Sequence, residues 1–190
     1  MKFAKRIQKH LDKHVNVYGY GVEWWPMSST VMLALPRNVV ERVRKEAERL
    51  GVSLEEYVVE ALLRDVDPRD RAKEYIEAAK LLLEQAQEEL GRGDVRQAAE
   101  KVRGACALAI KAYAWWREGR RLSSHGELWE YSEKLVEELG EWVDDAWNAG
   151  NSMHTCFYEG WCRKGHIERA IKRVEKLVEE IESRIKASLG

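Results

Sequence analysis

The chain has 190 residues, 45% of them apolar and 34% charged, with 32 basic against 33 acidic side chains and a formal net charge of −1. This composition supplies one core of ordinary size under a strongly charged surface, and it leaves no overall field to draw the protein to nucleic acid or to an anionic membrane. No apolar run approaches the roughly 18 residues of a spanning helix, so no membrane partner is expected.

Residues 1–29 read as an atypical N-terminal extension. MKFAKRIQKH is basic without an apolar stretch behind it, unlike a secretory signal, and VYGYGVEWWPMSS mixes glycine and aromatics without a period. A poorly ordered arm, an aromatic arm docked on a partner, or translation from an upstream start with Met27 or Met32 as the true one all fit it. From residue 30 the pattern sharpens. TVMLALP alternates, placing Val31, Leu33 and Leu35 on one face of a short strand that Pro36 stops. Val39, Val40, Val43 and Ala47 then recur at helical spacing up to Gly51, and Ser53 with Glu56 spells a capping box for a second helix, SLEEYVVEALL. A strand and two short helices bury too little to stand alone, so the unit 30–66 is expected to pair with a second copy.

DVDPRD resets the chain, with Asp67 as a cap and Pro68 in a first helical turn. The remainder, 67–190, reads as helices. One stripe runs from Ala72 through Tyr75, Ile76, Ala79, Leu82, Leu83 and Ala86 to Leu90. After a GRGD turn with Asp94 as N-cap, a stripe rich in small residues runs from Val95 to Tyr113. A loop, REGRRLSSHGE, leads to a third helix on Leu128, Tyr131, Leu135 and Leu139, ended by Gly140. Trp142, Val143, Ala146 and Trp147 make a short fourth helix, NSMHTCFYEGW comes next as a junction, and Ile167 to Ile185 line a long last helix. Short loops between successive helices predict an antiparallel bundle.

Two resemblances are carried by these segments. VMLALPRNVVERVRKEAERLGVSLEEYVVEALL looks like a ribbon-helix-helix unit, whose paired strands enter the DNA major groove. The outward strand positions here are Thr30, Met32 and Ala34, which suit dimerisation better than contacts to base edges. Further on, DPRDRAKEYIEAAKLLLEQAQEEL, GDVRQAAEKVRGACALAIKAYAWWREGRRLSSHGELWEY, LGEWVDDAWNAGNSMHTCFYEGW and IERAIKRVEKLVEEI resemble the PaREP family of archaeal paralogous proteins, placed among HEPN-like helical bundles. The resemblance covers roughly residues 67–185. It implies a mainly α chain: a ribbon-helix-helix-like unit followed by an antiparallel four- to five-helix HEPN-like bundle, homodimeric and cytoplasmic, with no reaction assigned to the family.

Many HEPN proteins are metal-independent ribonucleases with four to six residues between an arginine and a following histidine, the arginine stabilising the pentavalent phosphate and the histidine moving a proton. His154 fills the histidine place. Trp147, Asn148 and Ala149 stand where the arginine belongs, so the motif is degenerate. Arg103, three residues after Glu100 on the small-residue helix, is the substitute arginine to examine, with Arg96, Arg117, Arg120 and Arg121 behind it. Asn148, Asn151, Tyr158 and Glu159 are the candidate nucleotide-binding residues. The plainer readings are a backbone-bonded junction histidine for His154, a capping His125, a solvated His166, core positions for Phe157, Tyr158 and Trp161, and a bundle-end wedge of Trp115 and Trp116.

Three cysteines, Cys106, Cys156 and Cys162, with no CxxC pair, suggest neither a disulfide framework nor a zinc site, and a reducing compartment. Cys106 reads as a small core residue; a nucleophilic Cys156, or a metal held by Cys156, Cys162, His154 and His166, is disfavoured by spacing. No cofactor or metal is expected. The functional expectation is a dimeric helical protein of an RNA- or nucleotide-linked toxin–antitoxin or defence system. The alternatives are a metal-independent ribonuclease using His154, or a DNA-binding regulator acting through the ribbon.

Overall fold

The computed structural model describes residues 34–64 and 66–188. The chain divides into two units, Met1–Leu35 and Pro36–Gly190. Of the first unit only Ala34 and Leu35 are described, and every described helix belongs to the second. The expected strand lies largely outside the described residues, Thr30, Val31, Met32 and Leu33 among them, and Ala34–Pro36 have no regular structure. The described residues form helices and no strand.

The two helices expected after Pro36 are α1 (Arg37–Leu50) and α2 (Leu54–Leu62). Gly51, at φ 68°, ends α1 in the left-handed conformation, where a side chain would be strained. The Ser53 box forms as read: Glu56 N–H donates to Ser53 Oγ at 3.0 Å and Ser53 N–H to Glu56 Oε2 at 3.4 Å. Five long helices complete the unit: α3 (Pro68–Arg92), α4 (Val95–Glu118), α5 (His125–Leu139), α6 (Trp142–Glu159) and α7 (Lys164–Ala187). Helix α4 is the axis. Its run from Val102 to Ala114 is buried on every side, as a helix must be when neighbours surround it. Helices α3, α7, α6 and α5 succeed one another around α4, each packed on the next, and α2 packs on α4 as well.

Small residues on α4 set how near these neighbours come. A Cβ at Gly104 would meet Ser53 Oγ and Leu82 Cδ1 at 3.0 Å, so this glycine admits the start of α2. A Cβ at Gly150 of α6 would lie 2.6 Å from both Cβ and Sγ of Cys106. Backbone of α6 therefore rests directly on α4 at this point. The sequence places a short helix ending near Trp147 and a junction beyond it; α6 instead runs unbroken to Glu159. Gly150 does not break it because packing against α4 outweighs the roughly 1 kcal/mol that a glycine costs a helix interior.

The cysteine expectation is also corrected. Cys156 and Cys162 form a disulfide that closes the turn between α6 and α7, while Cys106 is the buried free thiol. An odd count hides the pair, which staples one local turn instead of framing a small domain. Phe157 is half-buried, and Tyr158 and Trp161 are exposed by 52% and 47%, so these aromatics are not the core residues their spacing suggests. Trp115 and Trp116 do close the bundle end: Arg71 stacks 4.0 Å over the Trp115 ring, and Trp116 Nε1–H donates to Ser188 Oγ at 2.8 Å.

Candidate functional site

Where α2 lies on α4, five charged side chains are withdrawn from water. Glu56 is fully buried, and Lys111 Nζ stands 2.8 Å from its Oε1 and 2.9 Å from Glu60 Oε1. Tyr75 O–H donates to the same Glu60 oxygen at 2.9 Å. Arg103 donates to the Gly51 carbonyl, and its Nη1 lies 3.6 Å from Glu56 and 3.8 Å from Glu100. Acid and base alternate along this chain, which is how buried charges are tolerated. At its end the balance fails. Burial pushes the Glu100 carboxyl up to about 7, against the pull of Arg103 and with the push of Glu55 and Glu56. Glu100 Oε2 has no hydrogen-bond partner among the described residues.

Beside this seam lie the histidines. The 3.6-residue period puts Trp147, Asn151, His154 and Tyr158 in one stripe of α6. The His154 ring is half-buried and meets the Tyr158 ring edge-on at 4.9 Å, with Nδ1 buried and unpartnered among the described residues. Burial lowers its pKa, and the positive charges of Arg103 and of His125 lower it further. His125, the first residue of α5, is depressed in turn by burial and by Arg103, with Glu56 opposing. The N-cap of α5 is Ser124, not His125; the imidazole Nε2 accepts from Trp129 Nε1–H at 3.0 Å, and the ring lies 6.3 Å from that of Trp147. Two imidazoles held neutral at pH 7 thus share the field of one buried guanidinium.

The predicted residues fall on two faces of α6. Tyr158 lines a cavity of about 370 Å³ with Phe157, Gln97, Glu100, Arg44 and Glu48, bounded by α1, α2, α4 and α6. Burial, then Glu100 and Glu48, raise its hydroxyl pKa. Asn148 is on the other side, in a groove of about 340 Å³ between α6 and α7. Asn151 is half-buried on the histidine face, and Glu159 is exposed at the end of α6. Arg103 is electrostatically joined to His154, yet its guanidinium is already engaged and 6% exposed. Trp147, at the missing-arginine place, is buried. His166 is half-buried at the start of α7, where its Nδ1 accepts from Arg163 N–H at 3.1 Å.

Sequence reasoning passes over His125 as a partner of His154, because a loop separates them and only tertiary packing joins them. It also passes over Arg169 and Arg173, which line the α6–α7 groove. Their signal is present: two arginines four apart with no acidic residue three or four positions from either. Cys156 and Cys162 being disulfide-bonded, neither is a thiol ready to act as nucleophile or metal ligand. Among the described residues, no group of His, Cys, Asp and Glu is arranged to hold a metal ion, and no helix is long and apolar enough to cross a membrane.

A helix buried on all sides within a ring of others, with histidines over a buried charge seam, makes the described residues a helical bundle. The model of the archaeal PaREP1/PaREP8 family matches residues 74–178, and the chain belongs to that family. A crystal structure of a protein from Sulfolobus solfataricus is similar, with 26% identity and a TM-score of 0.50, covering 56% of this chain and 94% of that one. No curated protein matches the chain.

Proposed function

We propose that this protein is a HEPN-like helical dimer of a nucleotide- or RNA-linked system of the toxin–antitoxin or defence kind, binding its ligand without cleaving it. In this reading the unit 30–66 supplies ribbon-helix-helix-like pairing, the bundle 67–190 carries the site, and the protein works in the cytoplasm. Support for pairing comes from α1 and α2, where Val39, Leu50, Val58 and Leu62 are large apolar side chains left exposed. The observation that carries the non-cleaving reading is the state of Arg103. A ribonuclease of this type needs a cation on the phosphate as charge develops. The arginine nearest in electrostatic effect to His154 is buried, bonded to the Gly51 carbonyl and flanked by two carboxylates. His154, Asn151 and Tyr158 then act as a recognition stripe, the imidazole and amide offering hydrogen bonds and the phenol an aromatic face.

One observation favours the second reading, a metal-independent ribonuclease. A neutral His154 with an unpartnered Nδ1 is in the protonation state a general base requires. The two readings separate when the purified protein and a His154→Ala variant are incubated with mixed RNA and the products resolved on a denaturing gel. No cleavage on that gel, with a shift of the RNA on a native gel, is the expected outcome for the parent. Cleavage by the parent that disappears in the variant makes the protein an enzyme.

A further inference from the structure

We propose that the groove between α6 and α7 is a nucleotide-phosphate site, with the phosphate on Arg169 and Arg173 and an aromatic base against Trp161. It rests on the nucleotide-linked reading above and names where such a ligand sits; the His154 stripe lies on the opposite face of α6.

The charge argument comes first. Arg169 and Arg173 are one turn apart on α7, line the same groove, and are both exposed. Four other helical arginines are neutralised locally, Arg37 by Glu41, Arg49 by Glu46, Arg92 by Glu89 and Arg184 by Glu180. Neither groove arginine forms an ion pair or hydrogen bond among the described residues. The positions three and four away from them hold glycine, histidine, alanine, leucine, lysine and arginine, never an acid. Asp145 is the one acidic residue lining the groove. Two guanidinium forks a turn apart, without an internal counter-ion, match the oxygens of a phosphate.

Trp161 makes the ligand more than a bare anion. Its indole is 47% exposed in the turn that the Cys156–Cys162 disulfide closes. It meets the His166 ring edge-on at 5.5 Å. His166 Nδ1 accepts from Arg163 N–H, which leaves Nε2–H as the ring's donor on the groove. An exposed indole held in place beside a cationic strip is a stacking platform for a base. Asn148, from the α6 wall, adds an amide able to donate to phosphate or accept from a base edge. The volume, about 340 Å³, falls in the range of small-ligand sites.

A mononucleotide and a segment of single-stranded RNA share this chemistry. The test uses the full chain and fluorescence anisotropy of a labelled single-stranded octaribonucleotide at several KCl concentrations, with AMP and inorganic phosphate as competitors. The parent is expected to bind the octamer, and AMP to compete at lower concentration than phosphate. Arg169→Gln with Arg173→Gln weakens binding at least tenfold and lowers the salt slope by about one to two. Trp161→Ala weakens it about tenfold with the slope unchanged. Lys172→Gln, the loss of one charge off the groove, stays within about twofold of the parent. AMP binding, measured directly by isothermal titration calorimetry, without octamer binding identifies a mononucleotide site, and octamer binding that AMP does not disturb identifies a polynucleotide one. If the parent binds the octamer or AMP but the groove variants behave like Lys172→Gln, this site is wrong while the nucleotide-linked reading stands. If the parent binds neither, both fall.

Discussion

Replacing Gly150 with alanine tests the central packing of the bundle. The added Cβ would stand 2.6 Å from Cys106 Cβ and Sγ and 3.3 Å from Val174 Cγ2, where carbon contacts normally settle at about 3.5–4.0 Å. Cys106 Sγ can turn away; its Cβ is fixed by the backbone of α4, so the two helices must separate. Alanine recovers about 1 kcal/mol of helix propensity, while overpacking of this kind costs typically 1–3 kcal/mol and sometimes more. With the approach this short, the larger figure governs and a net loss of about 1–2 kcal/mol is expected. In a domain of this size each kcal/mol moves Tm by about 2–4 °C, so a melt followed by circular dichroism should fall by roughly 2–8 °C. Cys106→Gly removes both clashing atoms, and the double variant should be less unstable than the sum of the singles by at least about 1 kcal/mol. A Gly150→Ala protein that melts at or above the parent, or strictly additive variants, refutes the direct contact of α6 on α4.

Lys111→Ala removes the cation shared by Glu56 and Glu60, leaving Arg103 3.6 Å from the first and Arg121 3.3 Å from the second; a loss of up to about 3–5 kcal/mol in urea unfolding is expected, and a change below about 1 kcal/mol would deny that the seam is buried. Glu100 has its folded pKa raised to about 7 from 4.5, so its contribution is intact below pH 4.5 and is lost as pH climbs toward 7. Glu100→Gln should therefore gain stability over the parent at pH 8 and little at pH 4.5, and a gain independent of pH would contradict the assignment. Thiol labelling should find no reactive cysteine in the native protein, one after denaturation and three after reduction, since burial pushes the Cys106 thiol up to about 12 and the other two are paired; three thiols without reductant would exclude the staple. By NMR the His154 ring should titrate below the usual histidine midpoint, and His125→Gln should move it upward by removing one of the charges that depress it; an unmoved midpoint would separate the two rings.

Helices α1 to α5 and α7 are legible in the sequence from their apolar stripes and, for several, their punctuation: Gly51 and Gly140 as stops, the Ser53 box, the Asp94 cap; the Ser124 box takes the place expected of His125. Helix α6 is illegible at its middle, since Gly150 and two asparagines look like a break and only the contact with Cys106 explains them. The functional stripe is legible in part. Asn151, His154 and Tyr158 share a face as periodicity demands, but periodicity also turns Asn148 away from His154, and no local rule reveals that α5 returns to bring His125 beside His154. The fate of Arg103 is hidden for the same reason: its partners Gly51 and Glu56 are about fifty residues earlier, and three-residue spacing shows only Glu100. The disulfide escapes a reading by spacing because the interval from Cys156 to Cys162 carries meaning only once α6 ends and the turn doubles back.

Helix α6 is gripped at its waist, where Gly150 sits on Cys106, and at its far end, where Cys156 is tied to Cys162. These two attachments set the register of α6 in the bundle, and with it which wall Asn148 faces and which wall His154 faces.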